Sequence, residues 1–275
     1  MKERKTSFND VLISLIKCAG YYGVYYLLNI VVTVALILVM AVIKPNADAE
    51  TTLNSLVIPL TLLCNALFLL GTAMFYNRKG SYTSFADRVQ VYPFNSRLLP
   101  FIVCLGITAM FTVNIILNFI PFPESWQEML NDNSDMISSS SMLMQIVCVG
   151  LIGPIAEEVI FRGLMLKALR RSMHPWVAIV LSSIVFGVVH GNPIGIIYAT
   201  GMGILMGWLY HRTGSVVACS LFHMVYNLMS LFAIYIPEEM LVMITLLSLP
   251  IFAVCIICIA RIPATTKNNE NDDEV

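Results

Sequence analysis

Charge is scarce in this chain. Asp, Glu, Lys and Arg make up 12% of its 275 residues, about half the ~25% of an ordinary soluble domain. Much of its surface must therefore face something other than water. An HExxH metal motif, a nucleotide-binding loop and an internal repeat are also missing, and nucleic acid is not an expected partner. Cys18, Cys64, Cys104, Cys148, Cys219, Cys255 and Cys258 all lie in apolar segments. They read as small buried apolar side chains and not as a disulfide framework or a zinc site.

What fills the chain is hydrocarbon. Hydrophobic residues account for 58%, and the mean hydropathy is +0.80. A helix needs ~20 apolar residues to cross the ~30 Å core of a bilayer. Runs of that kind predict about eight spans, at 21–43, 56–76, 98–120, 142–170, 176–191, 194–210, 215–235 and 240–261. The fifth and sixth are short and meet at Gly191-Asn192-Pro193, so they read as a tight hairpin. The expected fold is all-α, a polytopic transmembrane helical bundle.

Lys2, Arg4 and Lys5 precede the first run, as in a signal peptide, but that run exceeds the ~7–15 apolar residues of a cleavable core. It reads as a retained anchor. Before it, Phe8, Leu12, Leu15, Ile16 and Ala19 fall at helical spacing opposite Asn9, Asp10 and Lys17, the pattern of a short interfacial helix. Residues 1–20 are thus an interfacial segment, 21–141 the first three spans and their loops, 142–262 the chemistry-bearing core, and 263–275 a polar acidic tail expected to be disordered.

Charge sets the expected orientation. With the N-terminus in the cytoplasm, every Lys and Arg except Lys44 and Arg162 falls in a cytoplasmic segment, while Asp48, Glu50, Glu124, Glu128, Asp132, Asp135, Glu238 and Glu239 fall outside. The positive-inside rule then places both termini in the cytoplasm of a cell-membrane protein.

Ionisable groups within hydrocarbon are costly and tend to carry function. Three motifs hold them. The fourth run contains Glu157-Glu158 and Arg162 near its middle, ~22 Å from either end. Glu158 and Arg162 are one turn apart and can pair, whereas Glu157 points ~100° away and is left for proton transfer. The fifth run ends Phe186-Gly187-Val188-Val189-His190. The seventh carries His223 and Asn227, again one turn apart. Each motif alone is compatible with helix packing or an interhelical hydrogen bond. Together they put Glu157, His190, His223 and Asn227 at similar depth on three helices. Gly203 and Gly207 on the sixth run read as a GxxxG packing stripe.

In order, the motifs resemble EExxxR, FxxxH and HxxxN of the CAAX-processing and bacteriocin-processing intramembrane proteases, the CPBP or Abi family. The resemblance covers about residues 145–235. It implies an intramembrane endopeptidase of about eight helices acting on a membrane-associated peptide or lipidated (prenylated) protein, with membrane lipid as its surroundings. In that picture Glu157 activates water, His190 helps hold it, His223 and Asn227 stabilise the oxyanion, and Glu158 and Arg162 support the site. No cofactor is required, but zinc held by Glu157, His190 and His223 stays open as an alternative. A non-catalytic scaffold, conferring bacteriocin immunity or serving a membrane partner such as a sensor kinase, is the competing reading. A small carrier is a third, disfavoured by the lack of repeated halves.

Overall fold

The computed structural model describes residues 7–43 and 49–263, and among them there is helix and no strand. The expectations resting on Lys2, Arg4, Lys5, Lys44, Asp48, Lys267 and the tail from 264 lie outside the described residues.

In chain order the helices are α1 (Phe8–Ile43), α2 (Ala49–Asn77), a short α3 (Phe85–Val89), α4 (Leu99–Asn118), α5 (Glu124–Ser138), α6 (Met142–Arg170), α7 (Pro175–Val188), α8 (Pro193–Thr213), α9 (Val216–Phe232) and α10 (Glu238–Arg261). Seven of the described helices are long and apolar enough to cross a membrane. The eighth expected span, α7, has 14 residues, ~21 Å of helix, and so covers about two thirds of a bilayer. It stops because the chain turns at Gly191, whose φ of 81° suits glycine. The Asn192 side chain then accepts from the Gly195 N–H and caps α8. The hairpin predicted at this turn is present, with α7 as its short arm.

Two further elements depart from the expectation. The amphipathic stretch 8–19 is no separate interfacial helix but the first three turns of a 36-residue α1, since nothing between it and the span breaks the ladder. The loop after α4 contains a 15-residue polar helix, α5, with no buried residue, which packs on α2 and α8. It carries Glu124, Glu128, Asp132 and Asp135.

Helix α6 is not uniformly α. Residues Ile146–Ile152 and Val159–Leu166 are π-wound, on either side of the α turn Gly153–Glu158. Pro154 explains the first stretch in part. It has no N–H to give, and the Gly153 N–H donates to Cys148 O, five residues back. π-bulges are uncommon and gather at functional sites.

The buried core lies where α6, α7, α8 and α9 meet, with α4 behind α9. Phe161, Phe186, Tyr210 and Phe222 are among its most enclosed side chains. In contrast α1, α2 and α10 turn long apolar residues outward, among them Val31, Leu38, Leu70, Leu246 and Val254. An exposed apolar belt of this kind is a lipid-facing surface. The described cations Lys17, Arg88, Lys167, Arg171 and Arg212 gather at one end of the bundle, where Ser172 donates to Ser14 at 2.8 Å and Arg212 donates to the last carbonyls of α10.

The GxxxG stripe does what its small residues suggest. A Cβ on Gly203 would lie 2.9 Å from Ser183 Cβ, and one on Gly207 2.8 Å from Ile179 Cγ2. The stripe lets α8 close onto α7. Gly203→Val is expected to destabilise the fold by ~1–3 kcal/mol through overpacking, seen as a lower melting temperature in detergent. An unchanged melting temperature would show that α7 can move aside.

Candidate active site

The bottom of the site is a fully buried ion pair. Arg162 Nη1 donates to Glu158 Oε1 at 2.8 Å, with side-chain exposures of 1% and 0%. Such a pair survives burial only when its remaining polar groups are also met. The second Arg162 nitrogen donates to Gly203 O at 3.1 Å, and the guanidinium carbon lies 4.7 Å from the centre of the Phe186 ring, a cation–π geometry. One arginine thus ties α6 to α7 and α8.

The carboxylate of Glu158 has a further partner. His223 Nδ1, from α9, lies 3.0 Å from the same Oε1. Arg162 has only donors, so Oε1 accepts and Nδ1 is the donating nitrogen. This contact orients the imidazole and leaves Nε2 facing Glu157, whose Oε2 is 3.8 Å away. Glu158 Oε2 is buried with no donor among the described residues.

Glu157 is placed differently from its neighbour. Its side chain is 34% exposed, and it makes no direct ion pair with Arg162. Tyr25 of α1 is held by α2, donating to Asn65 Oδ1 at 2.8 Å. The half of the site nearest Glu157 is the open nitrogen of His223 from α9.

His190 stands at the far end of α7. Its Nδ1 is 2.8 Å from Phe186 O in its own helix, leaving Nε2 uncommitted. It reaches the other residues through rings: Phe186 lies 4.7 Å from His190, 5.9 Å from His223 and 5.0 Å from Phe161, centre to centre. Tyr198 covers its other side at 6.2 Å.

Asn227 has a structural task of its own. In an α-helix Val149 O would accept from residue 153, but the Gly153 N–H goes to Cys148, and residue 154 is a proline. The carbonyl would be orphaned inside the membrane, where that is costly. Asn227 Nδ2 supplies the donor at 2.9 Å. The asparagine one turn beyond His223 thus locks α9 to the π-wound part of α6.

Glu158 joins Arg162 and His223, His223 in turn faces Glu157 at 3.8 Å, and His190 packs beside them through Phe186. Among the described residues no three His, Cys, Asp or Glu side chains are already gathered in a metal-binding cluster. Glu158 and Phe186 O engage Nδ1 of the two histidines and leave both Nε2 atoms open, an arrangement that serves a zinc ligand as well as a hydrogen-bond donor to water. Sequence reasoning missed the His223–Glu158 contact and the central place of Phe186. The phenylalanine of Phe186…His190 was visible, but nothing local tells which rings it will separate.

With this geometry in view, the comparisons with known proteins bear on it directly. Residues 139–229 match the family described as type II CAAX prenyl endopeptidase Rce1-like. This core resembles the CAAX-processing membrane proteases. The resemblance read from the three motifs thus stands, over the segment that contains all six site residues. A Bacillus subtilis (strain 168) protein named "Putative membrane peptidase YdiL" is 32% identical over 84 residues, 30% of this chain and 34% of that protein. The match thus spans about a third of the curated relative. No solved structure matches the chain. The CAAX-protease-like segment begins just before α6 and ends within α9, so α1 to α5 and α10 lie outside it.

Proposed function

We propose that the protein is an intramembrane endopeptidase that cleaves a membrane-associated peptide or lipidated protein with water activated by Glu157. The observation that carries this reading is the unequal placement of two adjacent carboxylates. Glu158 is fully enclosed and spent on Arg162 and His223, while Glu157 is one-third open and faces the uncommitted nitrogen of His223. Hydrolysis needs a base for water and donors for the tetrahedral oxygen.

In this mechanism Glu157 removes a proton from water as its oxygen attacks the scissile carbonyl carbon. The carbonyl oxygen takes up the negative charge. Glu157 then returns the proton to the leaving nitrogen as the C–N bond breaks, giving a carboxylate and an amine. The Nε2 atoms of His190 and His223 are the ring nitrogens free to contact water and the oxyanion. Glu158 and Arg162 hold His223, and Asn227 holds the helix that carries it. The enclosed Glu158–Arg162–His223 cluster beneath Glu157 and the lipid-facing helices suit a substrate arriving within the membrane. Charge asymmetry supports cytoplasmic termini in a cell membrane.

The test is cleavage by purified protein in liposomes of quenched-fluorescent peptides anchored in the bilayer, with and without a prenylated cysteine. Cleavage of either set is expected, and the ratio of the two rates reports the role of the lipid group. Chelator treatment should leave the rate unchanged. Loss on chelation with recovery on adding zinc would overturn the metal-free mechanism, and absence of cleavage with every peptide would overturn the function.

A further inference from the structure

At the cationic end of the bundle, away from the carboxylates, four basic side chains from three helices and a turn line one depression. Lys17 comes from α1, Arg88 from α3, Lys167 from the last turn of α6 and Arg171 from the turn after it, around a shallow depression floored by Gly163, Leu164 and Ala168. None of these lining residues is acidic. The nearest carboxylate on the same elements, Asp87, is occupied by Ser84 Oγ at 2.6 Å and Tyr92 Oη at 2.9 Å. Those hydrogen bonds, Ser84 first, together with the Lys167 charge, hold its pKa below the usual carboxylate value, so it stays a charged acceptor at the edge of the depression.

The depression is a built feature. A Cβ on Gly163 would lie 2.8 Å from Val89 Cβ, so only glycine lets α3 approach α6 and bring Arg88 to the rim. Arg88 is fixed by a 2.7 Å hydrogen bond to Tyr21 Oη and by the Tyr76 ring. Lys167 is steadied by Asp87 O at 3.1 Å. Cys18 Sγ contacts Met165 O, and Ser172 bonds to Ser14, pinning α1 to α6 on either side. Lys17 and Arg171 are exposed at the opening.

Four cations from four elements are thus held side by side at one rim. The place is an end of membrane helices, beside the outward apolar face of α1, where an acyl chain can lie while its headgroup reaches the cations. Basic pockets between transmembrane helices bind anionic headgroups in this manner, and arginine forks match phosphate oxygens. We infer that the depression formed by Lys17, Arg88, Lys167 and Arg171 is a binding site for a phosphate-bearing anion, presented as the headgroup of an acidic phospholipid. The site is separate from the candidate active site and does not depend on the proposed protease activity.

Native mass spectrometry of the detergent-purified full chain, titrated with phosphatidylglycerol or phosphatidylcholine, tests it. Phosphatidylglycerol should bind more tightly. Each basic residue near such a headgroup contributes about fivefold in affinity, so Lys17→Ser with Arg171→Ser should weaken it about 25-fold. Both residues are exposed, so the fold should survive, and Arg171→Gln alone should show about a fivefold loss. Competition by inorganic phosphate would mark the phosphate itself as the recognised unit, and its failure to compete would mark the intact lipid. Equal binding of the two lipids would overturn the proposal. So would an equal loss from Lys79→Ser, which removes an exposed cation outside the depression.

Discussion

Replacing Glu157 by glutamine should lower the cleavage rate by about 10²–10⁴-fold, the usual worth of a positioned general base, and leave the melting temperature almost unchanged. The two halves of this expectation come from the same geometry. Glutamine keeps the size of the side chain and a hydrogen-bonding tip, and at 34% exposure the lost charge was not stabilising a buried partner. The contact to His223 is 3.8 Å, too long for a hydrogen bond whose loss would register in stability. What the amide cannot do is accept a proton from water. Rate measurement on reconstituted protein, paired with thermal denaturation in detergent, separates the effects. Full activity in Glu157→Gln would remove the base from the mechanism. Equal loss of activity and stability would show that Glu157 is structural.

The opposite pattern is expected at Arg162. Arg162→Met keeps the bulk of the side chain but strands the Glu158 carboxylate at 0% exposure, and removing one member of a buried pair typically costs ~3–5 kcal/mol. Three partners are lost together: Glu158 Oε1, Gly203 O and the face of Phe186. The first holds His223, the second belongs to the glycine stripe of α8, and the third supports His190. Stability and activity should therefore fall as one. Arg162→Lys is a sharper probe, because an ammonium cannot fork between a carboxylate and a carbonyl as guanidinium does. It should recover part of the melting temperature and less of the rate. A melting curve for Arg162→Met that overlays the parent would show that solvent reaches Glu158.

These two residues also show where sequence reasoning stops. Glu158 and Arg162 were paired from spacing alone, and the pair is present. The spacing of Gly203 and Gly207 announced a close helix contact, which is also present. His223 and Asn227 share a face as their spacing requires, yet their partners, Glu158 and Val149 O, lie 65 and 78 positions away and leave no local trace. Val149 was the hardest to foresee. Its need for Asn227 follows from Pro154 and from a π-winding that hydropathy does not register. The expected run to 191 overshoots the end of α7 at Val188, because Val189 continues the apolar pattern up to the turn at Gly191.

By itself the amino-acid sequence determined that the chain is a helical membrane protein, which way its charge is distributed, and which residues in each helix share a face. Those are properties of composition and of a 3.6-residue repeat, and both are local. Only the tertiary structure decided which carboxylate is enclosed and which stays open, which nitrogen of His223 turns towards Glu157, and what Asn227 holds. Each of these depends on how one helix is rotated against another. That rotation is set by packing among residues far apart in the chain, where a shift of a single residue, ~100° of helix, would turn a site side chain from the core to the lipid.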